Sequence, residues 1–453
     1  MRHRADALAA GSALGLFALA GLVGGLMWLA GRPVQASAAP LFAHWRPHLG
    51  PGTPGAVLTA VLVCRYGPQL SARLPWQRLS PVAYLSAVLW TLMLALVDGW
   101  QRGVAGRLTT RPEYLHEVPG VTDLPATVRG FTDRILDFQP DSWTTHVAGH
   151  PPGALLIFVG LDRAGLSGGG WAGLLCILAG SLVAVAVPRT VRLLGTDAAA
   201  RATVPFLVLF PGAVWVGVSA DGLFAGITAT GIAVLASGAV RGCPVRLTAG
   251  GTLLGLGCYL SYGLVLMAPI AVVVLALARI RPVLLTWAVI GGATVVAAFT
   301  AAGFDWLTGY HLVVERYYQG IAARRPYAYW VGANIAILAV SAGPATAVIL
   351  RRAARRARLL VAALRSTRRP GRPPRMPDLS GQAGWLLTVS ALVAITAADL
   401  SGYSKAEVER IWLPFTVWLL AGAGLIPTEH RRIWLAVQAA VALLVNHLLL
   451  STW

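Results

Sequence analysis

The sequence predicts an all-α fold: a polytopic transmembrane helical bundle of about thirteen spans, with juxtamembrane helices in one long outer loop. Three observations carry that expectation. Of 453 residues, 56% are apolar and only 12% are charged, against about 25% charged in a soluble domain. Mean hydropathy is +0.66. Apolar stretches of 15 to 24 residues recur along the chain, each able to span or nearly span a bilayer. A soluble enzyme, a disordered chain and a secreted disulfide scaffold are excluded.

The first stretch, near 8–31, follows Met-Arg-His-Arg. It is too long for a signal peptide and lacks a clear small-residue cleavage site, so it reads as a retained first helix with its basic start inside. Further spans fall near 52–66, 81–98, 169–187, 203–219, 222–239, 247–262, 264–279, 283–302, 331–350, 383–400, 411–426 and 432–450. The apolar segment 151–161 is too short to cross. Its two leading prolines suit a helix start, and it reads as a helix lying at the interface.

Charge orders these spans. The net charge is +19, yet only Lys405 is a lysine. Arginine in place of lysine, with many Ala and Gly, points to a GC-rich bacterial genome. With the amino terminus inside, the inner loops carry Arg73 and Arg78; Arg189, Arg192 and Arg201; Arg241 and Arg246; Arg279 and Arg281; ten arginines from Arg351 to Arg375; and Arg431. Every inner loop is then basic, as the positive-inside rule requires. Among the acids, Asp6, Asp197, Asp378 and Glu429 fall inside, and the other fourteen lie at or near the outer face. This placement makes the basic charge a topology signal and gives no reason to expect a nucleic-acid partner; anionic-lipid contact is expected only of the 351–382 stretch. The 351–382 stretch, with Pro370, Pro373 and Pro374 among arginines, reads as a flexible cytoplasmic loop. Cys64, Cys176, Cys243 and Cys258 show neither metal spacing nor a disulfide framework and read as small core residues.

Four places concentrate chemistry. Asp98 ends the run LWTLMLALVD at the outer membrane boundary, where an acid suits general-base work on a sugar or lipid hydroxyl. A snorkelling helix-end carboxylate is the plainer reading. The segment 111–153 holds six acids and three histidines and ends in HVAGHPPG, which clusters His146 and His150 before a rigid double proline. That cluster suits a phosphate or an acceptor. No HExxH or paired-Cys pattern appears. Asp221 is one acid within FLVLFPGAVWVGVSADGLFAG, a functional position by default at such a boundary. N-capping of the next helix, with Ser219 assisting, is compatible with that role. The stretch GYSKAEVERIWLPF packs Tyr403, Lys405, Glu407, Glu409 and Arg410 at a helix mouth. Arg as a bidentate fork and Lys as a point charge suit a lipid-linked phosphate. Glu407 or Glu409 would hold these cations in place. The aromatic loop 304–330, with Glu315 among its charges, joins belt residues to faces on which a sugar ring stacks.

In order, these features resemble the GT-C superfamily of membrane glycosyltransferases, which includes protein O-mannosyltransferases and polyprenyl-phosphate-sugar-dependent arabinosyl- and mannosyltransferases. An early span ending in an outer acid matches Asp98. The family's (H/K)PP(L/G) element matches His150-Pro151-Pro152-Gly153, and its later acid after a small residue matches Ser219-Ala220-Asp221. The likeness covers roughly 81–430. Two departures stand: Gly99 follows Asp98 where the family often has a second acid, and two spans precede Asp98.

The resemblance implies 1–80 as an amino-terminal extension with two spans and 81–350 as a catalytic transmembrane module that includes outer loop 99–168. The basic loop 351–382 and the carboxy-terminal helices 383–453 follow. It implies an inverting hexosyl- or pentosyltransferase in a bacterial plasma membrane, with its site at the extracytoplasmic face. The donor would be a polyprenyl-phosphate sugar, with mannose or arabinose expected first. The acceptor would be a glycan, lipid or protein among membrane lipids. Asp98 and Asp221 are the expected catalytic acids. His146, His150, Glu315, Tyr403, Lys405, Glu407, Glu409 and Arg410 are the expected substrate-binding residues. No cofactor is expected, and a divalent cation stays open. The alternatives are a transporter or lipid flippase, and a ligase moving glycan from a lipid pyrophosphate.

Overall fold

The computed structural model describes residues 2–367 and 380–451. Pro370, Pro373, Pro374 and the arginines from Arg368 to Arg375 lie outside the described residues. The chain begins with α1 (Arg2–Leu29), a short strand β1 (Ala43–Trp45), α2 (Thr53–Arg73) and α3 (Trp76–Ala95). A 3₁₀ turn carries the α3 path on to Asp98. Residues 101–151 follow as short turns and one-turn helices. Next come α4 (Pro152–Arg163), α5 (Gly169–Ser181), α6 (Val183–Leu194), α7 (Asp197–Val208), α8 (Ala220–Arg241) and α9 (Pro244–Leu260). The remainder is α10 (Ala268–Leu277), α11 (Pro282–Ala301), α12 (Trp306–Gln319), α13 (Tyr327–Ser341), α14 (Pro344–Thr367), α15 (Ala383–Leu400), α16 (Leu413–Leu419) and α17 (Arg431–Leu448). A last strand, β2 (Leu449–Ser451), pairs antiparallel with β1, Ala43 opposite Ser451.

Six segments among the described residues are helical, long and apolar enough to cross a membrane: Arg4–Leu29, Trp76–Asp98, Gly169–Leu194, Ala220–Arg241, Pro282–Ala301 and Ala383–Leu400. The protein is an all-α, multi-pass membrane protein. The expected count of thirteen is not reached, because several expected spans are short or broken. The 331–350 span bends by 107° between α13 and α14. Gly343, at φ +92, ends one helix and Pro344 starts the next, the usual division of labour between these residues. The 203–219 span stops at Val208, and a one-turn helix (Ala213–Val216) bridges to α8. The 351–382 loop is corrected too. Its first part continues α14 as a helix to Thr367, where Arg351 and Arg352 pair with buried Asp6 of α1.

α8 is the central helix, with 78% of its apolar window buried, whereas only 6% of α11's is. Small residues set that burial. A Cβ on Gly226 would sit 1.8 Å from the Ala179 carbonyl oxygen, so α8 and α5 touch backbone to backbone, as small residues permit between membrane helices. α11, rich in Val and Ala, leaves its apolar surface for lipid. Trp90, Trp330, Trp412 and Trp418 fill the core.

The HPPG element is a packing device. Pro151 caps α4, Pro152 occupies its first turn, and a Cβ on Gly153 would lie 2.5 Å from the Tyr259 carbonyl oxygen on α9. A side chain there must push two backbones apart. Gly153→Ala should therefore lower stability by about 1–3 kcal/mol, read as a lower thermal midpoint in detergent. An unchanged midpoint would show that α4 moves freely against α9.

Candidate active site

The long loop, the start of α8 and the segment before α16 converge on a buried ionic network. Arg410 is its hub. Its Nη1 donates to Asp221 Oδ2 at 2.5 Å, and its Nη2 donates to Glu407 Oε2 at 3.1 Å. Nη2 also lies 3.1 Å from His146 Nε2. On its far side, His146 Nδ1 lies 2.7 Å from Glu113 Oε1. That carboxylate keeps the proton on Nδ1 and leaves Nε2 as an acceptor. Arg325 Nη2 donates to the other Glu407 oxygen at 2.9 Å, and its Nη1 donates to the Lys405 carbonyl at 2.8 Å. Glu113, His146, Asp221, Arg325, Lys405, Glu409 and Arg410 are all buried.

The backbone holds these groups under strain. Ala406 and Glu407 both take left-handed φ, +70 and +63, which costs non-glycine residues about 1–3 kcal/mol each. The two Arg325 bonds, to Glu407 and to the Lys405 carbonyl, pin that turn. Such strain clusters at functional sites.

Asp221 lies in the first turn of α8, where a negative charge meets the positive helix end. It does not cap the helix. Ser219 does so alone, accepting from Gly222 N at 3.3 Å. The expected capping role for Asp221 is thus corrected, and its carboxylate is available to Arg410. Asp221 lines a small cavity of about 40 Å³ with Phe224, Ser261, Ser404, Trp412 and Phe415.

Burial pushes the Glu407 carboxyl up, but the charges of Arg410 and Arg325 more than offset this and hold it below the usual range. Burial lowers Arg410, but Asp221, Glu407 and Glu113 raise it further, so it stays protonated. Burial pushes the His150 imidazole down to about 4. His150 Nδ1 lies 2.7 Å from the His146 carbonyl and 2.9 Å from the Tyr114 hydroxyl. The Lys405 ammonium sits 4.9 Å from the Tyr318 ring centroid, and burial and Arg325 lower its pKa.

Glu409 differs from Glu407. Burial pushes it up to about 7, and the Glu407 charge adds to the rise. Its Oε1 accepts from Phe42 N, while Oε2 is buried without a partner among the described residues. Below its unfolded pKa of about 4.3 both states are protonated. Above that value the unfolded chain releases the proton while the fold retains it up to about 7. Stability therefore falls as pH rises through that window. Glu409→Gln should remove this slope between pH 5 and 8 in thermal unfolding, and a slope equal to the wild type's would place the titration elsewhere.

Asp98 stands apart from this cavity. His48 Nε2 lies 2.7 Å from one of its oxygens, and Arg107 Nη2 donates to the other at 2.6 Å. Arg107 is lowered to about 10, chiefly by burial, with the charge of Asp98 working against that fall. Gly99 follows at φ +77, a conformation that glycine adopts without cost. A second acid at that position would be strained, a physical reason for the departure from Asp-Asp. Glu315 is exposed on α12 and joins none of these contacts. Tyr403 packs its ring edge-on to Tyr317 and Tyr318, beside Lys405.

Glu113, Arg325, Arg107 and His48 were not singled out by the sequence. The partners of Glu113, Arg325 and His48 are far away along the chain, and Arg107 pairs with Asp98 nine positions before it without a recognisable local motif. Among the described residues, no group of three or more His, Cys, Asp or Glu converges as a metal-ligand set.

A helical multi-pass membrane protein with a buried Arg–carboxylate–His network beside a small cavity is the class that fold and site define. No family model and no curated protein matches the chain. The crystal structure of ArnT from Cupriavidus metallidurans in the apo state is similar over 77% of each chain, at 14% identity and a TM-score of 0.33. A likeness that distant carries no argument about fold or activity.

Proposed function

We propose that the protein is a GT-C-type glycosyltransferase taking a sugar from a polyprenyl phosphate. One observation supports this most: Asp221, His146 and Arg410, picked from three separate sequence features, meet in one buried network beside a cavity. The donor phosphate displaces Asp221 from Arg410 and takes the guanidinium fork, with Lys405 adding positive charge. The freed Asp221 carboxylate accepts the proton of the acceptor hydroxyl. The acceptor oxygen bonds to the anomeric carbon while that carbon's bond to the phosphate oxygen breaks. Arg410 stabilises the charge that grows on the leaving phosphate. Glu113 fixes the His146 tautomer, so that His146 Nε2 takes part of the Arg410 fork.

In this reading Asp221 replaces Asp98 as base, because Asp98 has both oxygens held by His48 and Arg107. Asp98 positions Arg107 instead. Inversion, the extracytoplasmic face, mannose or arabinose as the sugar, and a glycan, lipid or protein acceptor belong to the same proposal.

The break between α13 and α14 favours a second reading, since transporters carry interrupted helices. Purified protein in detergent, given labelled polyprenyl-phosphate sugars and a panel of acceptors, decides between them. A labelled glycoside with released polyprenyl phosphate supports the transferase. Vesicle flux without any such product supports the transporter.

A further inference from the structure

The far end of α8 carries a second polar site, which the network around Arg410 does not use. Ser237 lies 16 residues beyond Asp221 in the same helix, about 24 Å along its axis at 1.5 Å per residue. Its buried Oγ accepts from Arg241 Nη1 at 2.7 Å and from Arg246 Nη1 at 3.0 Å. Arg241 closes α8 and Arg246 opens α9, so two helices bring their guanidinium groups to one oxygen. Both lone pairs of that oxygen are then taken. Its own proton has no acceptor among the described residues.

Beside this cluster, α6, α8 and α9 enclose a cavity of about 300 Å³. Arg189 and Arg246 line it with Ser237, and Leu182, Val185 and Ala233 form its apolar wall. Among the described residues, no acid lines the cavity. None of Arg189, Arg241 and Arg246 has an ion-pair partner there either. Three like charges gathered without a counter-ion repel one another, and an anion relieves that repulsion. The apolar wall is a poor neighbour for a hydrated free ion. It suits an occupant with a charged head and a hydrocarbon body.

The geometry points to a binding site for the phosphate head group of an anionic membrane phospholipid between α6, α8 and α9. The phosphate oxygens accept from the free N–H groups of Arg189 and Arg246 and from the Ser237 hydroxyl, and the acyl chains run along the apolar wall. Basic pockets between membrane helices bind such head groups by this chemistry. The site is distinct from the proposed donor site at the opposite end of α8.

Native mass spectrometry of the purified full chain, titrated with phosphatidylglycerol or phosphatidylcholine, tests the assignment. Phosphatidylglycerol should bind clearly tighter. Arg189→Ala with Arg246→Ala should weaken it roughly 30-fold, at about a factor of five for each arginine. Arg73→Ala, which removes an exposed arginine outside the cavity, should leave binding unchanged. Arg189 is exposed and has no bond to lose, so Arg189→Gln alone should fold and show about a fivefold loss. Equal binding of the two lipids, an equal loss in Arg73→Ala, or displacement of the lipid by millimolar inorganic phosphate would each overturn the proposal.

Discussion

Arg410→Ala should lower sugar transfer by about 10²–10³-fold, the scale of losing one preorganised charge contact in a dry site. The apparent donor KM should rise and kcat should fall together, because the contact strengthens as the phosphate leaves. The fold should suffer as well. Asp221 would stay buried without its cationic partner, while half-buried Glu407 would keep only Arg325; stranding a buried charge costs about 3–5 kcal/mol. Arg410→Lys should recover part of the rate, since an ammonium cannot serve two oxygens as a planar fork does. Pairing Arg410→Gln with Asp221→Asn should restore much of the thermal midpoint and none of the activity, separating chemistry from folding. Steady-state kinetics and unfolding in detergent read both effects. Normal turnover in Arg410→Ala would remove this site from the mechanism.

Asp221→Asn should reduce kcat by about 10²–10⁴-fold, the usual scale for a lost general base. Its amide keeps a hydrogen bond to Arg410 but cannot take the acceptor's proton. Asp98→Asn should lower kcat by clearly less and act mainly on stability, because it leaves half-buried Arg107 without its carboxylate. Measured side by side with a polyprenyl-phosphate sugar, the two variants rank the acids. The reverse order would return the base to Asp98.

Much of the fold was legible because bilayer crossing imposes a simple rule on composition. α1, α3, α8, α11 and α15 lie where apolar runs placed them. The misreadings came where an apolar window averages over a local break. Gly343-Pro344 carried a visible stop-and-start signal, yet the surrounding residues are apolar enough to hide it. The α14 extension was hidden in another way: arginine-rich sequence reads as loop, but Arg351 and Arg352 lie on a helix against Asp6. In the site, Asp221, Lys405 and Arg410 stood out because charge is scarce around them. Their pairings did not. Arg410 and Asp221 are 189 positions apart, and no pattern within a window joins them. Glu113 was one acid among six in its segment until the fold placed it against His146.

The β1–β2 pairing has a consequence for biosynthesis. His48, which holds Asp98, is itself fixed by its N–H bond to the His447 carbonyl at 2.8 Å. Arg107 donates to the Ser451 carbonyl, 344 positions later in the chain. At about 5–20 residues per second, a ribosome needs roughly 20–70 s to travel that distance. Through that interval Asp98 and Arg107 wait in a nascent bundle without the strand that encloses them. The early helices thus enter the membrane with this corner unfinished, and residues 344 positions later complete it.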